Sequence, residues 1–319
     1  MNIVITGSVA YDYLMTFPGY FRDHILPEHI ERISLSFLVD SMVRQRGGVA
    51  SNIAYGLALF GRHPFLMATV GEDFGDYRTW LEAHGVDTSA TKVIPDEFTA
   101  SFFANTDQAN SQICSFYTGA MAHAAELSFR DLKEKPDLVV ISPNDPLAMV
   151  QYPKECKELG ISYLYDPSQQ LPRLNGDQLR EGIEGAWALF VNDYEFNLIQ
   201  DKTGLSEADI FKDVHLLVIT HGEKGSAIFV DGTQHLIPVV PPKSIADPTG
   251  VGDAFRSGFL AGYSLGLNWK LCGEMGSLSA TYCLENTGTQ GYAFSLPQFI
   301  TRFRENFDDL GALDVFTPG

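Results

Sequence analysis

Asp247-Pro248-Thr249-Gly250-Val251-Gly252-Asp253-Ala254-Phe255 reads as a tight turn feeding a helix. Gly250 and Gly252 let the backbone turn sharply and approach a ligand closely. Ala254 to Leu265 then sets Phe255, Phe259 and Tyr263 at helical spacing as one apolar stripe. Backbone N–H groups at the start of such a helix have no partner within it and attract an anion. Asp253 falls in that first turn. It serves there either as a cap with no further role, or as a carboxylate beside an anion hole that accepts a proton from an attacking hydroxyl. The motif alone leaves both open. No GxxxxGK(S/T) and no Gly-Lys dipeptide occurs, and the protein-kinase pairing of HRD with DFG is absent, so a phosphate site here is of another kind.

Working outward, short apolar runs at Leu138–Ile141, Tyr163–Tyr165, Ala188–Val191 and Leu216–Ile219 read as buried parallel strands. Amphipathic segments from Pro146 to Leu159 and Asp177 to Ile183 lie between them, and strands alternating with helices imply a layered α/β sheet. Two regions break the alternation. Residues 30–46 show a period of two, with Ile33, Leu35, Phe37 and Val39 on one face and Ser34, Ser36 and Asp40 on the other. Residues 98–118 behave alike, so both predict antiparallel strands of a small separate sheet built from insertions. A hairpin from Gly225 to Pro238 around Asp231-Gly232 extends the main sheet.

The 319 residues are 45% hydrophobic and 19% charged, enough to bury a core. A net charge of −18 argues against nucleic acid and anionic membrane surfaces as partners. No apolar run approaches the roughly 18–20 residues that span a bilayer. The N-terminus enters Ile3-Val4-Ile5-Thr6-Gly7 at once, without the basic region of a signal peptide. Cys114, Cys156, Cys272 and Cys283 lack metal-ligand spacing and read as buried free thiols of a cytoplasmic protein, and the eight histidines show no metal pattern.

Asp247 to Asp253 resembles the C-terminal signature D-T-x-G-A-G-D of the ribokinase-like (PfkB) sugar kinases. Gly47-Gly48-Val49-Ala50-Ser51-Asn52 resembles their N-terminal signature, and Gly7-Ser8-Val9-Ala10-Tyr11-Asp12 their first strand with its sugar-binding Asp. Asn192-Asp193-Tyr194-Glu195 fits their N-x-x-E motif, and Thr220-His221-Gly222-Glu223-Lys224-Gly225 their T-x-G-x-x-G nucleotide segment. These motifs keep the family's order across residues 7–253. A narrower likeness is to bacterial adenosine kinases of mycobacterial type, carried by Phe21, Leu26-Pro27-Glu28-His29, residues 34–40, Asp166-Pro167-Ser168-Gln169-Gln170-Leu171 and Asp253-Ala254-Phe255-Arg256. Pro248-Thr249 departs from the commoner Thr-x, and Val251 stands where most relatives carry Ala.

The resemblance implies a ribokinase-like three-layer α/β/α sandwich with a small β-sheet lid, one domain over 1–319 with lid insertions at about 14–46 and 98–118. It implies phosphorylation of the adenosine 5′-hydroxyl by ATP in purine salvage. A kinase for another nucleoside or for free ribose or fructose is the alternative, and a non-catalytic sensor the remote one. Asp253 is then the general base, with Gly250, Val251 and Gly252 as anion hole. Arg256 holds phosphate or is an ordinary helix-surface arginine. Asp12, Asn52 and the Gly48 backbone bind ribose, unless Asp12 caps a turn and Asn52 its helix, and Ser8 and Ser36 add polar contacts. Phe102 and Phe116 stack on the base or pack within the lid, while Gln169 and Gln170 meet its edge or stay solvated. Thr220, Gly222 and Gly225 hold the nucleotide. Asn192 and Glu195 organise Mg²⁺, or merely start a helix. A monovalent cation such as K⁺ would sit near the Asp247 and Thr249 carbonyls. The alternating apolar face at 33–39 predicts a homodimer through the lid.

Overall fold

The computed structural model describes residues 1–25 and 34–316. In chain order its strands are β1 (Ile3–Thr6), β2 (Ala10–Thr16), β3 (Ser41–Gly47), β4 (Phe65–Met67), β5 (Thr69–Val70), β6 (Lys92–Val93), β7 (Ala100–Thr106), β8 (Gln112–Tyr117), β9 (Leu138–Ile141), β10 (Ser162–Tyr165), β11 (Ala188–Asn192), β12 (Leu216–Thr220), β13 (Ser226–Val230) and β14 (Thr233–Ile237). Its helices are α1 (Val49–Leu59), α2 (Gly75–Ala83), α3 (Pro146–Leu159), α4 (Gly176–Ile183), α5 (Asp193–Thr203), α6 (Glu207–Asp213), α7 (Val251–Ser264), α8 (Trp269–Leu284) and α9 (Leu296–Asn306).

The main sheet runs β14-β13-β12-β11-β10-β9-β1-β4, parallel from β12 to β4, with β13 and β14 as an antiparallel hairpin at one edge. The side-chain period of two divides each strand between two cores. Ile3, Ile5, Val140, Leu164, Phe190 and Val218 face the layer of α1, α7, α8 and α9. Val4, Val139, Ile141, Tyr163, Leu189 and Leu217 face α3 to α6. Both faces of these strands are covered, which is why their sequences are apolar without a break. The result is the expected three-layer sandwich, with the predicted runs and the Asp231-Gly232 hairpin in place.

A second sheet, β3-β2-β7-β8, stands apart from this body. It corrects two expectations. Its strands are not all antiparallel, since β2 and β7 run parallel. Residues 34–40 form no strand, and Ile33 lies outside the described residues. The strand is Ser41–Gly47, whose register with β2 runs from Ala10↔Gly47 to Thr16↔Ser41. Beyond Thr16 there is no β2 residue left to pair, so the alternation at 34–39 has no ladder to join. Phe37 turns instead into an aromatic group with Phe17, Phe21 and His24 at ring separations of 5.0–6.0 Å. Ser36 is exposed on this irregular stretch, and the apolar face predicted for dimer contact does not exist as a strand face. Cys114, on β8, is exposed rather than buried; the other three thiols are buried.

The two sheets meet at Gly7–Val9, between β1 and β2, and at Gly48, between β3 and α1. Gly48 has φ +96°, and a Cβ there would stand 2.6 Å from the Ser8 carbonyl and the Ala10 nitrogen. Only glycine permits that crossing. Among the described residues no helix is long and apolar enough to cross a membrane.

Candidate active site

The polar residues gather where the parallel strands end, the edge at which open α/β sheets bind ligands. Gly250 precedes α7 in the left-handed region, φ +79° and ψ 0°, and no side chain caps the helix behind it. The N–H groups of Val251, Gly252 and Asp253 are therefore left to a ligand. Asp253 is not a cap. Its Oδ2 accepts a hydrogen bond from Asn52 Nδ2 on α1 at 2.9 Å. Burial lifts its carboxyl to about 7, Asp166 and Asp12 push the same way, and Arg256 and Asn52 oppose them. A carboxylate poised there is suited to take a proton near neutral pH.

Asn52 is itself fixed from the far side. Its Oδ1 accepts from Thr289 Oγ1 at 2.9 Å and Gln290 Nε2 at 3.0 Å. Gln290 in turn meets the Tyr77 hydroxyl at 2.5 Å and accepts from Trp80 Nε1 at 3.1 Å. Asn52 is thus tied to the candidate base rather than capping its own helix. Thr289 also flanks the anion hole, since a Cβ added at Gly250 would stand 2.9 Å from its Cβ.

Asp12 on β2 shares a row with Gln45 on β3 and Phe102 on β7, and Phe116 on β8 continues it. Paired residues project to one side of a sheet, so the carboxylate and both rings share a face. Burial raises Asp12 to about 6, with Asp247 adding to it. Phe116 is exposed, so it is not sheet core. Ser8 is committed within the protein, its hydroxyl oxygen accepting from Val49 N at 3.0 Å. Ser36 stays on the exposed stretch described above.

Arg256 is buried, which removes the reading of a surface arginine. Its partner is Asp166, just past β10. Beyond it, Gln169 is exposed and Gln170 buried, with the Gln170 Oε1 atom unpartnered. Asn192 and Glu195 form a reciprocal helix start: Asn192 Oδ1 accepts from Glu195 N and Glu195 Oε2 from Asn192 N, each at 2.8 Å. Glu195 Oε1 is left over, and its charge reaches Asp166 and Arg256. Thr220 sits beside Asn192 in register, with Gly222 and Gly225 following at φ +58° and +92°. Asp247 accepts from Thr249 N at 2.9 Å and Gly288 N at 3.0 Å; burial works against it, but these bonds win and hold its carboxyl below the usual range.

Four participants went unassigned in the sequence: Asp166, Gln45, Thr289 and Gln290. The glycine-flanked polar loop Thr287-Gly288-Thr289-Gln290-Gly291 was the one signal for the last two.

A family model for pfkB family carbohydrate kinases matches residues 8–294. A nucleoside kinase of Burkholderia thailandensis, solved in complex with inosine, superposes with TM-score 0.86 at 37% identity, covering 96% of this chain and 98% of that one. The same protein solved with ADP-inosine gives TM-score 0.83 at 40% identity over 96% of each chain. A nucleoside kinase of Methanocaldococcus jannaschii is 31% identical over 91% of this chain and 92% of its own. A cytidine kinase of Thermococcus kodakarensis is 28% identical over 83% and 97%. Two of these relatives are named for nucleosides at large and one for cytidine, and none of the three is named for adenosine.

Proposed function

The chain belongs to the pfkB family of carbohydrate kinases, with its ribokinase-like fold, and from that premise we propose that it transfers the γ-phosphoryl group of ATP to the 5′-hydroxyl of a purine nucleoside, adenosine first. One observation carries the reading: an uncapped, glycine-turned helix start with a carboxylate near neutrality beside it, tied to Asn52.

Asp12 accepts hydrogen bonds from the ribose diol. The 5′-hydroxyl then lies toward Asp253, which takes its proton as the oxygen attacks the γ-phosphorus. The bond to the β,γ-bridging oxygen breaks and ADP leaves. The N–H groups of Val251, Gly252 and Asp253 stabilise the charge on the passing phosphoryl group, which is most of what such a transfer requires. Thr220, Gly222 and Gly225 flank the nucleotide. Mg²⁺ would come with the phosphates and keep most of its waters, which suits the single carboxylate oxygen that Glu195 leaves uncommitted. The Asp247 carboxylate is engaged by Thr249 N in its own turn and by Gly288 N of another loop, so a K⁺ there would rely on backbone carbonyls.

Phe102 and Phe116 offer a face to the base. The unpartnered Gln170 Oε1 is an acceptor suited to the amino group of adenine. Inosine is the second reading, favoured by the Burkholderia relative solved with it; a reversed Gln170 amide would serve its carbonyl. The test is turnover with ATP and Mg²⁺ across adenosine, inosine, cytidine, ribose and fructose. Adenosine is expected to lead. Free sugars ahead of every nucleoside would sink the proposal.

A further inference from the structure

Asp166 N donates to the Ile141 carbonyl at 2.9 Å, which pins the residue to the end of the sheet. Its carboxylate is 1% exposed and meets Arg256 side on: Nη2 donates to Oδ1 at 2.9 Å, and Nε lies 2.5 Å from Oδ2. Arg256 Nη1 donates to the Gly252 carbonyl at 2.9 Å, within the anion-hole turn. A guanidinium has five N–H groups. Two donate to Asp166 and Gly252, the Nε–H lies against Asp166 Oδ2 as an ion pair without a hydrogen bond, and the other two find no acceptor among the described residues.

A buried ion pair is a weak source of stability, because desolvation offsets much of the attraction. A buried pair with spare donors beside an uncapped helix start is suited to something else. We propose that Asp166 is a positioning residue: it locks Arg256 over the Gly252 turn, so that the spare N–H groups face the transferring phosphoryl group while the pair stays nearly neutral beside Asp253. The inference rests on the kinase reading of the site. Arg256 meets the phosphoryl group; Asp166 acts through Arg256.

Asp253 is faced by Arg256 from its own helix, Asn52 from α1, Asp166 from the end of β10 and Asp12 from β2. Cys283 and Tyr292 also feel its charge, and Glu195 of α5 reaches the Asp166–Arg256 pair. Loss of the Asp166 charge exposes Asp253 to an uncompensated cation and keeps it ionised to lower pH. Loss of the Arg256 charge does the reverse.

The experiment is the pH dependence of kcat/KM for Asp166→Asn and Arg256→Gln, with adenosine affinity read by calorimetry. Turnover is expected to fall at least ~10-fold in both, and up to the ~10²–10³-fold of a lost oxyanion donor. The acid limb should move down in Asp166→Asn and up in Arg256→Gln, with adenosine affinity little changed. General loosening would not send the limbs in opposite directions, and a limb's position does not depend on how much protein is folded. Limbs that stay put, or move the same way, overturn the inference. If Asp166→Asn does not fold, Arg256→Lys carries the test, since it keeps the charge and loses the fork. A similar fall in turnover on an unmoved limb is expected there, and undiminished turnover overturns the inference. An inactive Asp253→Asn with unmoved limbs would sink only the role of Asp166. An active Asp253→Asn would sink the kinase reading beneath it.

Discussion

Asp253 sets the pH behaviour of the site. With its carboxyl lifted to about 7, the base is ionised above that pH and lost below it, so kcat/KM should fall as pH drops through 7. Asp12, lifted to about 6, should lose nucleoside affinity only at lower pH, so the two limbs separate when turnover and calorimetric affinity are followed together. Asp253→Asn should cut kcat by roughly 10²–10⁴-fold, the reach of general base catalysis, with adenosine affinity nearly kept. Retained turnover would reduce the residue to a hydrogen-bond partner of Asn52. Gly250, Gly252, Asp12 and Asp253 could be singled out in the sequence because each sits in a short local pattern, whereas nothing local marked Asp166 as the partner of Arg256. The bond from Asn52 to Asp253 was not legible either. The Asn52 partners Asp253 and Thr289 are 201 and 237 residues away in the chain, and nothing local in the sequence marks such a contact.

Individual elements were legible in proportion to how much of their environment lies within them. The central strands are buried on both faces and announce themselves as apolar runs. β3, Ser41-Met42-Val43-Arg44-Gln45-Arg46-Gly47, has a polar, half-solvated sequence, and it became a strand only because β2 runs beside it. The better-looking alternation at 34–39 lacked a partner. Gly48 offers a test at this scale. Gly61 has a similar positive φ, +69° against +96°, but a Cβ there meets nothing within 4 Å. Gly61→Ala should therefore cost only the left-handed backbone strain, on the order of 1–2 kcal/mol. Gly48→Ala should cost clearly more in urea unfolding and displace β3 from α1, because its Cβ would strike backbone. Equal costs would mean the crossing is not tight.

Over the whole molecule, the sandwich and the separate small sheet followed from the order of elements, while the face that the small sheet leaves open did not. Tyr13, Met42, Phe103 and Ile113 project from the side opposite Asp12, with Tyr13 stacked on Phe103 at 4.9 Å and Met42 62% exposed. We propose that the dimer contact is this face rather than residues 33–39, burying the same patch on each subunit. Light scattering should give twice 35.2 kDa, and Phe103→Glu should return a monomer with its fold intact; a wild-type monomer at tens of micromolar would end the idea. The crossings at Gly7–Val9 and Gly48 are stitched together, Ser8 O accepting from Ala50 N at 3.1 Å and Ser8 Oγ from Val49 N at 3.0 Å. The small sheet is also held at the start of β7, where Thr99 N and Oγ1 donate to Asp73 Oδ1 at 2.8 and 2.7 Å, and past β8, where Ala120 N donates to the Phe98 carbonyl at 3.0 Å. Asp12 stands on an inner strand with a partner on either side, while Phe116 lies on the outermost strand, paired on one side alone. An outermost strand gives way more readily than one laced on both edges, as a door moves least beside its post. The sugar is then gauged against a nearly fixed point and the base against a travelling one. Removing the ribose 2′-hydroxyl should cost more in measured affinity than exchanging adenine for hypoxanthine, and the opposite order would mean the outer strand is held as firmly as β2.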